Sequence, residues 1–189
     1  MPGRRRQWRQ GLLYIVGRTE EKLVTVVRTY SKDIAGSLQH IVADEEHVDI
    51  PINNAGISTA TFNTKAGSAK ESKKALFDNE EATFANWSAA YRNNVSQIYF
   101  MTTCFLPLLH PATEKAYGWR STVINICSIS AQVKTTQHHP QYDASKAATI
   151  HQNRVLANEI QENGLKIRVN SIAPGVFLSE MTAGESGAN

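Results

Sequence analysis

Along this chain the spacing of apolar residues changes period again and again, and that limits the folds open to it. Short β-branched apolar runs alternate with longer stretches in which apolar residues recur every three or four positions. "STVINICSIS" (121–130) reads as a buried strand, residues 142–163 as a helix closed by Gly164, and "KIRVNSIAPG" (166–175) as the next strand. The same order opens the chain. "LLYIVGR" (12–18) is strand-like, and residues 19–39 begin with a Thr cap and early acids before Leu23, Val26 and Val27 at helical spacing. "HIVAD" (40–44) is again strand-like. "VDIPINNAG" (48–56) is a strand interrupted by Pro51 and ended by an Asn-Asn-Ala-Gly turn. Residues 57–82 are polar and lysine-rich, which predicts a long surface loop with a short helix near 69–77, and residues 83–112 form a long helix loosened near Pro107. Strand and helix alternating in this way predict an α/β fold on a parallel sheet.

With 189 residues, 41% of them hydrophobic, the chain has enough apolar material for one core. The expected organisation is a basic, disordered segment at 1–11, a single domain at 12–182 and a flexible tail at 183–189. A formal charge of +3 is too small to imply a nucleic-acid partner, although Arg4, Arg5, Arg6 and Arg9 cluster at the start. No apolar run is long enough to span a bilayer, and no secretory pattern follows the arginines, so a cytoplasmic location is expected. Cys104 and Cys127 lie in apolar runs, where small buried thiols fit better than a disulfide or a metal site. His138, His139 and His151 have no carboxylate or cysteine at ligand spacing, so no metal is expected.

The stretch "QYDASKAATI" at 141–150 carries the candidate chemistry. Positions i and i+4 of a helix lie one above the other, which puts the ammonium of Lys146 near the phenol of Tyr142. A positive neighbour favours the phenolate and would draw the tyrosine from about 10 toward neutrality, where it can exchange a proton with an alcohol or carbonyl. Six tyrosines in the chain make one such pair weak by itself.

The pair has company. Ser128 ends the preceding strand-like run, fourteen residues before Tyr142, and Asn94 lies in the helix before that. "NNAG" stands at 53–56 and "NSIAPGVFLSEMT" at 170–182. In this set and order the chain resembles the short-chain dehydrogenase/reductase family, its wording being most similar to fungal members of the 3-oxoacyl-acyl-carrier-protein reductase type. The resemblance implies a Rossmann-like, doubly wound, mostly parallel sheet in three layers. It implies that Tyr142 is the general acid/base, that Lys146 tunes it and holds the nicotinamide ribose, and that Ser128 orients the substrate oxygen. Asn94 would hold a water that links Lys146 to solvent. Ser130 is the rival serine, with a spacing to Tyr142 that is two shorter. Arg18 would bind the adenosine 2′-phosphate, which favours NADP over NAD. Asp44 would contact adenine, while Asn53, Ala55 and Gly56 would approach the adenine ribose through backbone. Pro174 and Gly175 begin the segment past the nicotinamide, with Val176 and Ser179 holding its carboxamide. The substrate would be a small carbonyl or alcohol. Homo-oligomers would form through helices 83–106 and 142–163.

The chain also departs from the family's pattern. No Gly-x-x-x-Gly-x-Gly or Gly-x-Gly-x-x-Gly occurs anywhere, so the backbone cradle for pyrophosphate has no counterpart. The sheet is therefore expected to be incomplete, without counterparts of the family's first and last strands. Five residues between Ala43 and Asp49 are too few for a helical crossover between parallel strands. Two functions therefore compete: an NADP-dependent oxidoreductase, and a truncated non-enzymatic remnant that at most associates with other subunits.

Overall fold

Val123, Ile124 and Ile126 give residues 122–126 a strong strand signal, and they form the middle of the sheet. The computed structural model describes residues 46–114 and 118–176. Three parallel strands lie in the order β1 (Ile52–Asn53), β2 (Thr122–Ile126), β3 (Arg168–Ile172), with Ile52 opposite Ile124 and Ile126 opposite Ile172. The expected α/β class with a parallel sheet is present. The elements expected at 12–18, 19–39 and 40–44 and the tail at 183–189 lie outside the described residues, as do Arg18, Asp44 and Ser179.

β1 is shorter than the 48–56 expected. Pro51 has no N–H to offer a ladder. Its carbonyl still accepts from Ile124 N at 3.0 Å, and that of Asp49 accepts from Thr122 N at 3.1 Å. The expected short helix is α1 (Ala69–Leu76), capped by Ser68, whose hydroxyl accepts from Glu71 N. The single helix expected over 83–112 is three pieces: α2 (Phe84–Tyr91), a π turn at Arg92–Ser96, and α3 (Gln97–Glu114). The irregularity falls at the π turn rather than at Pro107, for α3 runs through both Pro107 and Pro111. α4 (Pro140–Glu162) starts with a proline, whose missing N–H costs nothing there, and is followed by Gly164 at φ +73°.

Along β2 and just beyond it, Val123, Asn125 and Cys127 are buried while Ile124 and Ile126 are less so. The more buried face carries a ladder of amides. Asn53 Nδ2 donates to Asn125 Oδ1 at 2.8 Å and to Thr102 Oγ1 of α3 at 3.3 Å, and Asn125 Nδ2 donates to Asn153 Oδ1 of α4 at 2.9 Å. α3 and α4 therefore cover the same side of the sheet. Leu109, Leu156 and Ile160 fill the space there. Each such side chain contributes about 2 kcal/mol on burial. Unpaired, the amides of the ladder would cost as much.

Candidate active site

Parallel strands deliver their following loops to one edge of a sheet, the edge where α/β folds bind ligands. Three segments singled out from sequence meet there: Asn54–Gly56 after β1, Cys127–Ser128 after β2, and Pro174–Val176 after β3. Ladder bonds continue past the strands and draw the last two together. Cys127 N donates to Ile172 O at 2.7 Å, and Ile129 N donates to Pro174 O at 2.9 Å. Val176 and Gly175 are exposed at this edge.

Ser128 has extended backbone and caps a short 3-10 turn (Ile129–Ala131), its hydroxyl accepting from Ser130 N at 3.1 Å. The cap orients Ser128, which interacts with the phenol of Tyr142, while Ser130 interacts with Asp143 instead. Between the two serines, Ser128 is the one that faces the tyrosine.

α4 places Tyr142 and Lys146 one turn apart. Lys146 Nζ lies 5.7 Å from the centroid of the Tyr142 ring and donates to Ile126 O at 2.9 Å. Lys146 is only 3% exposed. The two groups converge, but the electrostatic expectation needs correcting. Burial pushes the phenol above its ordinary value, Ser128 opposes this, and Cys127 and Asp143 reinforce it. Lys146 does not draw it toward neutrality, because the ammonium is itself desolvated, which lowers its own pKa, and is turned onto the Ile126 carbonyl. Burial also pushes the Cys127 thiol up; it donates to Lys146 O at 3.1 Å.

The π turn aims Asn94 inward, where it is fully buried. Its side chain makes three hydrogen bonds. Oδ1 accepts from Ile57 N at 2.9 Å, and Nδ2 donates to Ile57 O and Ser145 Oγ, both at 2.9 Å. Its main-chain carbonyl accepts from Thr149 Oγ1 at 2.8 Å. A side chain so engaged clamps the turn after β1. Gly56 completes the approach, since a Cβ there would come within 3.2 Å of Asn94 Oδ1 and 3.3 Å of Lys146 Nζ. Gly56→Val is expected to lower stability by about 2 kcal/mol through overpacking, measured as a lower urea midpoint at unchanged slope.

Sequence reasoning missed Gln141, Asp143, Ser145 and Thr149. Gln141, Ser145 and Thr149, four apart, are all 0% exposed. Such a polar stripe resembles a solvated face, and only the i, i+4, i+8 repetition marks it as a continuous surface. Gln141 Nε2 donates to Thr59 Oγ1 at 2.8 Å and to the Ala60 carbonyl. His138 Nδ1 pairs with Phe62 O at 2.9 Å, and His139 Nδ1 with Ser58 Oγ at 3.1 Å. These histidines tie the 58–64 loop to the start of α4. Gln137 and His138 adopt the left-handed backbone at φ 46° and 70°, strain of about 1 kcal/mol each that these bonds offset.

A family model described as short chain dehydrogenase matches residues 19–188. The chain belongs to the short-chain dehydrogenase family. Among curated family members, it is 30% identical over 190 residues to the short-chain dehydrogenase/reductase PhomF of Diaporthe leptostromiformis, covering 91% of this chain and 63% of that one. It is 27% identical over 153 residues to the 3-oxoacyl-[acyl-carrier-protein] reductase FabG of Chlamydia muridarum, covering 81% and 52%. The solved complex of Pseudomonas aeruginosa RhlG with NADP shares 29% identity at a TM-score of 0.62, covering 79% of this chain and 52% of that one. The chain thus spans less than two thirds of the length of these short-chain dehydrogenases.

Proposed function

We propose that this chain acts as an NADP-dependent oxidoreductase that interconverts a small-molecule carbonyl and a secondary alcohol, with Tyr142 as general acid/base. One observation carries the reading: Tyr142, Lys146 and Ser128 converge at the carboxyl edge of the sheet, with Lys146 Nζ 5.7 Å from the ring of Tyr142 and Ser128 facing the phenol. Tyr142 holds the proton that passes to the substrate oxygen. Ser128 hydrogen-bonds that oxygen where charge develops. Lys146 spends one of its three protons on Ile126 O and keeps two for ribose hydroxyls. Asn94 fixes the turn beside Lys146, and the second lone pair of its carbonyl is the place for a water that returns protons to the lysine. Asn53 at the end of β1 and Ala55 and Gly56 after it, with Pro174, Gly175 and Val176 after β3, would flank the dinucleotide.

The glycine at position 56 lets the turn after β1 approach Lys146 Nζ closely, which supports a backbone contact to a nucleotide beside the lysine. The fit is to the nicotinamide end, since the sequence has no glycine-rich turn for the pyrophosphate. When bound, the nicotinamide supplies or accepts the hydride at carbon. Arg18 and Asp44, with Ser179, are assigned to the cofactor by sequence position alone, and Arg18 is what favours NADP over NAD. The matches to RhlG, solved as an NADP active-site complex, and to the 3-oxoacyl-[acyl-carrier-protein] reductase FabG support a carbonyl reductase.

Titration of the full chain with NADPH tests the reading. At a hundred times the dissociation constant, binding adds about 2.7 kcal/mol, a rise of several degrees in Tm, and NADH gives a smaller rise at equal concentration. No rise at millimolar NADPH overturns the proposal. A second reading, association without catalysis, is favoured by the aromatic residues that α2 and α3 leave exposed. Phe84 is 94% exposed, and Trp87, Tyr91, Tyr99 and Phe100 are exposed as well. Light scattering that gives a monomer at micromolar concentration excludes self-association through helices 83–106 and 142–163.

A further inference from the structure

We propose that Ser145 is a positioning residue for Tyr142: its buried hydroxyl, held by Asn94 of the π turn, fixes the main-chain carbonyl of Tyr142 and so ties the first turn of α4 to the turn after β1. The inference rests on the reading of Tyr142 as the acid/base and deepens it.

Serine is a poorer helix former than alanine, and a hydroxyl taken out of water costs free energy unless it is bonded. Ser145 lies inside α4 and is 0% exposed, so the helix alone does not explain it. The hydroxyl works in both directions. It accepts from Asn94 Nδ2 at 2.9 Å and donates to Tyr142 O at 2.7 Å. The same Nδ2 donates to Ile57 O at 2.9 Å, and Ile57 follows Gly56, whose backbone lies beside Lys146 Nζ. A continuous path of hydrogen bonds therefore runs from the turn after β1, through Asn94 and Ser145, to the residue that carries the phenol. Thr149, one turn further along α4, holds the same contact from the other side. Its Oγ1 reaches Asn94 O at 2.8 Å and Ser145 O at 3.0 Å. A hydroxyl bonded back to a carbonyl of the preceding turn competes with the helix ladder and sets the local direction of the chain. Here the direction is that of Tyr142, whose ring centroid lies 5.7 Å from Lys146 Nζ. A misplacement of about 1 Å at such a site costs up to about 10² in rate.

The test labels the tyrosine ζ carbons of the full chain with 13C and identifies the Tyr142 resonance by its loss in Tyr142→Phe. In Ser145→Ala that resonance is expected to shift, and Ser145→Thr, which keeps the hydroxyl, recovers at least half of the shift. A resonance that stays in place in Ser145→Ala, with only a lower urea midpoint, overturns the proposal and leaves Ser145 as a partner of Asn94 alone. A shift that Ser145→Thr repeats in full also overturns it, because the hydroxyl is then not the cause. Should Ser145→Ala not fold, Ser145→Cys, which keeps the size and a weaker donor, is read in its place by the same two criteria. Turnover gives the second readout: kcat falls about tenfold in Ser145→Ala at an unchanged Kd for NADPH, and Ser145→Thr restores it. An unchanged kcat overturns the proposal. Failure of the catalytic reading looks different. If turnover does not depend on Tyr142, the resonance alone decides, and a shift that Ser145→Thr recovers leaves Ser145 positioning a ring that is not the acid.

Discussion

Tyr142→Phe is expected to reduce turnover by about 10² to 10⁴ while leaving NADPH affinity almost unchanged. The ring packs as before, and only the proton carrier is lost. Ser128 then faces a carbon-bound hydrogen where it faced a hydroxyl, and Lys146 keeps its bond to Ile126 O. A steady-state assay of the purified variant against a panel of small carbonyl compounds, beside a thermal-shift titration with NADPH, checks both halves. A variant that turns over at the rate of the unaltered chain removes Tyr142 from the proposed role. A variant that loses NADPH binding in proportion to turnover would make the phenol a binding group rather than an acid. In either case the convergence of Tyr142 with Lys146 would need another explanation.

Asn94→Ala is expected to have the largest effect on stability, about 3 kcal/mol, read from urea unfolding. Truncation strands Ile57 N, Ile57 O and Ser145 Oγ around a buried position. Each orphan costs on the order of 1 kcal/mol or more, and the cavity adds to it. Ser145 retains its own bond to Tyr142 O at 2.7 Å, which limits the loss on that side. The turn after β1 would then be free to move away from Lys146, so nucleotide affinity should fall together with stability. A loss below about 1 kcal/mol would show that the Ile57 clamp is dispensable.

Much of the architecture was legible because it depends on periods of two and four residues. The β-branched run at 121–130 announced β2, the helix expected at 142–163 is α4, and the lysine-rich loop did contain its short helix. The misjudgements have local causes. Prolines usually interrupt helices, yet α3 passes through Pro107 and Pro111, and the break falls at Arg92–Ser96, where nothing in the composition marks a π turn. Pro51 shortened β1 more than the apolar pattern suggested.

Of the site, helix spacing was enough to expect Tyr142 and Lys146 one turn apart, because a helix turn is short-range geometry, whereas Ser128 and Asn94 entered only through resemblance to the family. Neither could reveal that the phenol is pushed up rather than drawn down, or that Asn94 is engaged in holding Ile57. Those outcomes depend on burial and on partners 37 and 51 residues away in the chain, which no local pattern encodes. Periodicity in the chain was enough to set a parallel α/β fold and to mark which residues stand at the ends of its strands. Which of them are desolvated, and in which direction each ionisation is pushed, came from packing alone, because dielectric surroundings and hydrogen-bond partners exist only once distant segments meet.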